Sequence, residues 1–281
     1  INSDQIKTLY KKQIAVKLGE NGINKKTISP QAFERGINAL DFFSKQIKSF
    51  EPLDSIVCLG TSALRNAKNA PDFIQNAFEK TGLKIEVIDG LKEAELILNG
   101  VKAALPLEKQ NGLIMDIGGG SVEFIYIESG NPLFSQSYEI GASRLKDLFH
   151  NSNPISTSEI LECKNYIQSQ LKGLFDFCSK HKNIELLGSA GSFESIADLA
   201  QIKNEGENSY LDIKVNDFLK IHEWLLKSTL EERKNIPAIA DYRVEMIVVA
   251  SILIETVISR LNIEKMKCVF YSLKEGALIS Y

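Results

Sequence analysis

The sequence predicts an α/β protein made of two α/β halves that face each other across a cleft. Three observations carry that reading. Short β-rich runs alternate with stretches of helical periodicity, a polar proline-containing segment at residues 106–110 separates two such regions, and glycine-rich loops join strands in the second half. The 281 residues suit one large domain or two of ordinary size, and 44% hydrophobic with 25% charged residues is the composition of a packed globular chain. The expected division is an N-terminal α/β domain at residues 1–107 and a C-terminal α/β domain at 108–281.

The elements follow in order. Residues 7–18 read as extended, two short apolar runs parted by Lys11 and Lys12. A helix is predicted from Ser29, whose hydroxyl can cap and whose neighbour Pro30 takes the first helical position; Phe33, Ile37, Leu40, Phe43 and Ile47 then form one stripe, expected to be buried. SIVCLG (55–60) reads as a buried strand, residues 71–80 as a helix stopped by Gly82, and KIEVI (84–88) as another strand. Residues 91–105 are helical. In the second half, LIMDI (113–117) is a strand, three glycines follow, VEFIYIE (122–128) is a second strand, and SGNP turns the chain into an extended run at 133–140. A long amphipathic helix is predicted over 158–180, a strand at IELL (184–187) and a helix over 193–200. Thr229 and Glu232 form a capping box, residues 243–261 are apolar nearly all round as in a buried helix, and 266–271 is a last strand.

Composition narrows the function classes. The most apolar stretch, 246–258, is interrupted by Ser251 and Glu255 and is shorter than the ~20 residues a bilayer span needs. Residues 1–16 carry polar and charged groups where a secretion signal needs an apolar core, so the expectation is a cytoplasmic protein without membrane attachment. Cys58, Cys163, Cys178 and Cys268 are scattered, without metal spacing, and read as reduced, mostly buried thiols. With 33 Lys and Arg against 36 Asp and Glu, net charge −3, no broad nucleic-acid surface is expected. A small anion held by local donors stays compatible with that balance. His150, His181 and His222 have no ligand spacing and are read as surface or packing residues.

Two loops carry the chemistry. Asp116 ends a strand and is followed by Gly118, Gly119, Gly120 and Ser121; glycines admit positive φ and close approach of a ligand, so successive N–H groups can point at phosphate oxygens. A dinucleotide fingerprint would need a helix directly after the glycines, and a β-rich run stands there instead. A strand, glycine loop and strand with Asp at the first strand's end resembles the phosphate hairpin of the actin, sugar-kinase and heat-shock-chaperone superfamily, a ribonuclease H-like fold with an interdomain cleft. GSAGS (188–192), between a strand and a helix, is a second candidate anion loop. A ligand-free hairpin and an ordinary capped turn are the plain alternatives.

TSALRNAKNA (61–70), IDGLKEAELILNGV (88–101), MDIGGGSVEF (115–124), GASRL (141–145), GSAGS, IPAIADYRVEMI (236–247) and SLKEGAL (272–278) occur in the order and approximate spacing of the exopolyphosphatase and guanosine pentaphosphate phosphohydrolase (Ppx/GppA) family, over nearly the whole chain. The resemblance implies a phosphoanhydride hydrolase. By position, Glu93 matches the catalytic carboxylate that activates water, and Asp116 and Glu123 match ligands of a divalent metal, Mg²⁺ or Mn²⁺. Arg65, Gly118, Gly119, Gly120, Ser121, Arg144, Ser189, Gly191, Ser192 and Lys274 match positions around the phosphates. The implied partners are polyphosphate or guanosine pentaphosphate, with no nucleic acid or membrane, and a homodimer as a further expectation.

The sequence also departs from the family. Members begin with another phosphate hairpin of the type DLGSNS, which this sequence lacks, implying a chain that starts downstream of it. Lys274 stands where an Arg is usual, keeping charge but losing the bidentate fork. GSAGS replaces a loop more often containing Thr, and the HD-type helical domain of longer relatives is missing. The alternatives are an ATP-binding kinase or chaperone-like ATPase of the same superfamily, or a non-catalytic binder of polyphosphate or guanosine tetraphosphate. Because net charge is negative, a long polyanion needs a local positive strip, expected from Arg65, Lys68, Arg144 and Lys274.

Overall fold

A computed structural model describes residues 8–108, 110–202 and 208–281. A 3₁₀ turn at Ile23–Lys25 leads into α1 (Pro30–Lys48), β1 (Leu59–Gly60), α2 (Ser62–Asn66), α3 (Ala70–Thr81), β2 (Glu86–Val87) and α4 (Gly90–Ala104). The hairpin strands β3 (Asn111–Ile117) and β4 (Val122–Glu128) follow, then β5 (Asn131–Tyr138), α5 (Ala142–Phe149), α6 (Thr157–Gln170), α7 (Lys172–Cys178), β6 (Glu185–Ser189) and α8 (Gly191–Leu199). The chain closes with β7 (Tyr210–Lys214), α9 (Val215–Lys227), α10 (Leu230–Lys234), α11 (Ile247–Leu261), β8 (Lys265–Val269) and α12 (Leu273–Ser280).

The main sheet has the order β5-β4-β3-β6-β8-β7, with β3, β6 and β8 mutually parallel and the outer strands antiparallel. Side chains alternate across its two faces. Leu113, Met115, Ile117, Phe124 and Tyr126 join α5, α6, α7 and α11 in one core, while Ile114, Ile125, Ile127, Leu187 and Val269 meet α4 and, through Leu273, α12. The molecule is therefore layered helix–sheet–helix around β3, buried on both faces from Gly112 onward. Parity also fixes the site: Asp116, Glu123 and Ser189 stand on the α4 face, since each is an even number of residues from an α4-facing neighbour.

Several expectations hold. Ser29 caps α1 by accepting from the Ala32 amide, Pro30 is at the first helical position, Gly82 ends α3 at φ 74°, and the Thr229–Glu232 capping box is present. Others are corrected. Of the α1 stripe only Ile37 is buried; Phe33, Leu40, Phe43 and Ile47 are half-buried, because the first unit offers only two-residue strands to pack on. SIVCLG forms a ladder only at Leu59–Gly60, with Ile56 and Val57 exposed, since β2 pairs one of its edges over two residues and no described strand pairs the other. Residues 8–16 form no strand, and Lys7 lies outside the described residues. The long helix breaks at Leu171, two residues before Gly173, and the buried helix begins at Ile247 rather than 243. Strand β7, absent from the sequence reading, is a short edge strand with one buried residue, Ile213, too little apolar alternation to register.

Helix α11 is the spine of the larger core, with Val248, Leu253 and Ile254 fully buried; truncating such a Leu or Ile to Ala costs about 2–5 kcal/mol. His222 of α9 packs against it. The Ser251 hydroxyl donates to the Val248 carbonyl at 2.7 Å, so His222 Nδ1, 3.0 Å from Ser251 Oγ, carries the proton and donates. Burial pushes the His222 pKa down to about 4. Between pH 6.5 and 4 the unfolded chain binds a proton that the folded one refuses, so stability falls as pH drops through that window, by about 3 kcal/mol from this residue. Urea unfolding at pH 7 and pH 4.5 checks this: His222→Gln is expected to flatten the acid loss seen in the parent, and equal slopes in both proteins would refute it.

Candidate active site

The first loop forms where β3 and β4 run out of ladder. Asp116 and Glu123 are directly opposed across this antiparallel pair, on one face, with Gly118 to Gly120 and Ser121 between them. The loop is held by its carbonyls. Ala142 N donates to Gly118 O at 2.9 Å, Ser143 N to Gly119 O at 2.9 Å and Gly141 N to Gly120 O at 3.2 Å, so the start of α5 fixes the loop from one side. No described protein group accepts from the amides of Gly119 or Gly120, which remain available to an anion. None of the three glycines has positive φ; the expectation of left-handed backbone gives way to close approach, since a Cβ on Gly120 would sit 2.4 Å from Ser62 Oγ.

The second loop lies beside the first because β6 pairs with β3 in parallel, with Ser189 registered against Asp116. Ser189 Oγ donates to Asp116 Oδ2 at 2.6 Å, and Ser272 at the start of α12 donates to the same oxygen. Ala190 then turns the chain into α8 at φ 65°, ψ 177°, a conformation almost reserved for glycine that costs on the order of 1–3 kcal/mol. A cavity of about 260 Å³ opens between Gly118, Gly119, Gly191, Ser192 and Arg243. A Cβ on Gly191 would overlap the Arg243 guanidinium, which reaches Ser195 Oγ at 3.3 Å and Glu194 at 3.5 Å. Arg243 lies in the IPAIADYRVEMI segment, whose signal the sequence reading used for resemblance but not for a site.

On the α4 face stand three acids. Asp89 caps α4 by accepting from Lys92 N, which places Glu93 in the first turn, buried, while Glu95 stays exposed and pairs with Lys92 at 3.1 Å. Glu93 accepts from Arg65 Nη1 at 2.9 Å. Burial raises the Glu93 pKa, Arg65 opposes that, and the charges of Asp116 and Glu139 raise it further. Asp116 is raised by burial against the donors Ser189 and Ser272. Glu123, whose Oε1 accepts from Ser137 Oγ at 2.6 Å, is pushed up to about 8 by burial and then by the charges of Glu93 and Asp116. These carboxylates do not line the cavity; the glycine loop separates them from it, because Ile117, Ala142 and Ile247 of the lining belong to the α11-side core.

The basic residues divide. Arg65 Nη1 also donates to Ile88 O at 3.1 Å, while Nη2 is buried without a hydrogen-bond partner, 3.8 Å from Glu139. Arg144 donates to Gly120 O, Ile23 O, Asn24 Oδ1 and Glu139, so it braces the loop against the 3₁₀ turn. Glu139 is a site residue that sequence reasoning missed: it also accepts from Asn66 Nδ2 at 2.8 Å, and a single Glu before GASRL carries no periodic signal. Lys68 is exposed, and Lys274 is exposed, pairs with Glu275 at 3.1 Å and lines a separate groove with Phe43, Phe50 and Leu278. The four basic residues expected to form one strip are thus differently engaged: Arg65 pairs with Glu93, Arg144 braces the loop, Lys68 is exposed, and Lys274 lies by a separate groove; Arg243, not among them, lines the cavity. Among the histidines, His222 is core and His181 packs its ring at a tilt against Tyr126 and Phe177.

The acids suit a divalent cation by chemistry, being hard oxygen donors whose proton affinity is raised chiefly by burial and further by nearby carboxylates. Among the described residues no group of three or more His, Cys, Asp or Glu is placed to hold a metal unaided. Asp116 and Glu123 could hold such an ion only if water and substrate oxygens completed its shell, the usual habit of Mg²⁺. No helix among the described residues is long and apolar enough to cross a membrane.

Comparison with known proteins gives the same direction. The model of the Ppx/GppA phosphatase family matches residues 1–281. A bifunctional 3-dehydroquinate synthase/phosphatase of Fusobacterium nucleatum is 34% identical over 191 residues, 66% of this chain but only 28% of that protein's length. A Haemophilus influenzae protein provisionally named an exopolyphosphatase is 26% identical over 283 residues, covering 100% of this chain and 85% of its own. The crystal structure of an exopolyphosphatase from Cytophaga hutchinsonii superposes with a TM-score of 0.90 at 33% identity, over 94% of this chain and 86% of that one. The Aquifex aeolicus PPX-GPPA enzyme shares the fold, with a TM-score of 0.75 at 21% identity over 95% and 88% of the two chains. With its α/β fold, its glycine hairpin and a family match along its full length, this chain belongs to the Ppx/GppA phosphatase family.

Proposed function

We propose that this chain hydrolyses the terminal phosphoanhydride of inorganic polyphosphate, or of guanosine pentaphosphate, by attack of a water that Glu93 orients and deprotonates. One observation carries the reading: a buried carboxylate with raised proton affinity is paired with an arginine whose second nitrogen is buried and unpartnered, both beside a loop with free amides. Water oxygen bonds to the terminal phosphorus, its proton passes to Glu93, and the anhydride bond breaks with its electrons on the departing chain. Gly119 and Gly120 amides and Arg65 Nη2 would neutralise phosphoryl oxygens, while Arg243 and the α8 amino terminus would hold phosphates in the cavity. A divalent cation on Asp116 and Glu123 would, when bound, neutralise further charge on the phosphoryl group. Arg65 serves both partners, so engaging a phosphate loosens its hold on Glu93 and frees the base.

Phosphate release from polyphosphate, guanosine pentaphosphate and ATP, measured side by side with magnesium, tests the activity. Glu93→Gln keeps an acceptor for Arg65 and is expected to fold and bind phosphate while losing about 10²–10⁴ in turnover, the usual contribution of a positioned base. Activity within a few-fold of the parent would remove Glu93 from the role. Excess chelator is expected to abolish turnover, with recovery on adding Mg²⁺ or Mn²⁺; full activity in chelator refutes the metal ligation by Asp116 and Glu123. Arg65 holds the Glu93 pKa down, so in Arg65→Ala that pKa rises. Activity is lost as pH falls through it, and the acid limb of kcat/KM therefore moves to higher pH while KM increases. Lys220→Ala, an exposed residue of α9 paired with Asp217, should change neither quantity; identical profiles for the two variants would contradict the assignment.

A further inference from the structure

A second polar cavity of about 140 Å³ lies away from the loops, lined by Lys146, His150, Asn153, Arg233 and Glu245. Arg233 is 1% exposed, and among the described residues no carboxylate lies within ion-pairing distance of it. Its Nε donates to Val244 O at 3.0 Å and its Nη1 to Ser228 O and Ser228 Oγ, which leaves Nη2 with no described acceptor. His150 Nδ1 is likewise buried without a partner. Lys146 adds a second cation, its nearest carboxylate Asp147 being 3.7 Å away, whereas Glu245, the one acid on the wall, is engaged by Lys17 at 2.9 Å.

The Arg233 guanidinium hydrogen-bonds only neutral oxygens of Ser228 and Val244; the carboxylates of Glu232 and Glu245 act on it from beyond ion-pairing distance, so a nearer anion would be a better partner. The cavity is several times the ~30 Å³ that a water occupies in the liquid, room for one tetrahedral oxyanion. We infer that Arg233 Nη2, Lys146 and His150 form a binding site for a small tetrahedral oxyanion of the orthophosphate class, separate from the glycine loops. Its donors are Nη2 of Arg233, the ammonium of Lys146, and His150, which on protonation at Nδ1 becomes a third donor. The inference does not depend on the hydrolytic reading, because the ligand is tested as inorganic phosphate itself.

The experiment follows the His150 ring protons by NMR in the full chain during titration with sodium phosphate, with sodium chloride at equal ionic strength as control. Saturable movement with phosphate alone is expected, persisting in Arg243→Ala, whose altered residue lines the other cavity. Arg233 also ties down two backbone carbonyls and its replacement can unfold the chain, so the test rests on Lys146. Lys146→Ala should weaken binding about tenfold, the loss of one charge-assisted contact, and Lys146→Glu should abolish it. No movement at tens of millimolar phosphate, equal movement with chloride, loss in Arg243→Ala, or unchanged affinity in Lys146→Glu would each overturn the site.

Discussion

Three acidic side chains from three separate elements share one water-poor space above the sheet, and most of the surrounding architecture answers that constraint. Glu93 arrives on α4, Asp116 on β3 and Glu123 on β4, and the pairing of the two strands gives the last two no way apart. Their compensation is partial. Arg65 covers one, Ser189 and Ser272 donate to another, and Ser137 donates to the third. Carboxylates whose folded pKa lies above the unfolded value oppose folding as pH rises through that range, so the cluster costs stability at neutral pH. A fold that keeps such a cluster has traded stability for a site that attracts protons or cations.

The two loops meet that cluster as preformed structures. The first has its carbonyls taken by the start of α5, which leaves the Gly119 and Gly120 amides without a described acceptor in a loop that is already fixed. The second begins with Ala190 in a backbone state that only surrounding structure can enforce, held between the β6 ladder and the first turn of α8. Arg144 ties the hairpin to Ile23 and Asn24 of the 3₁₀ turn and to Glu139, so the loop is clamped from that side as well as by α5. Dipoles fixed in this way need no reorganisation when charge develops on a phosphoryl group.

Much of this was legible in the sequence, for identifiable reasons. A triple glycine between two β-rich runs with an acid at the first strand's end has few structural solutions, and the cap at Ser29 and the stop at Gly82 are local chemistry. Tertiary facts were not local. Whether Glu93 or Glu95 turns inward depends on which face of α4 meets the sheet, and both lie on one polar stretch. Arg144 reads as a cation near a loop, yet its donors are spent on carbonyls, Asn24 and Glu139, partners that only folding brings to it. Arg243 reaches the cavity from a segment of turns that precedes α11, and the absence of a Cβ at Gly191 is what admits it. SIVCLG has the composition of a core strand, but burial requires neighbours, and composition does not reveal how many a strand will have.

The contact between α4 and α12 has a consequence in time. Leu96 of α4 packs with Ala277 of α12, and Ser272, which donates to Asp116, opens that same helix, so the seat of the acid cluster joins segments nearly 180 residues apart in the chain. Contacts of such separation form late, because the loop they close must be ordered first. During synthesis the glycine hairpin can pair, and α4 can pack on it, as soon as β4 has emerged, whereas the α12 side of α4 stays uncovered until residues 273–280 have been made. Asp116 and Glu123 therefore meet early, on the hairpin, and what arrives last is the Ser272 hydroxyl that donates to Asp116 from the start of α12.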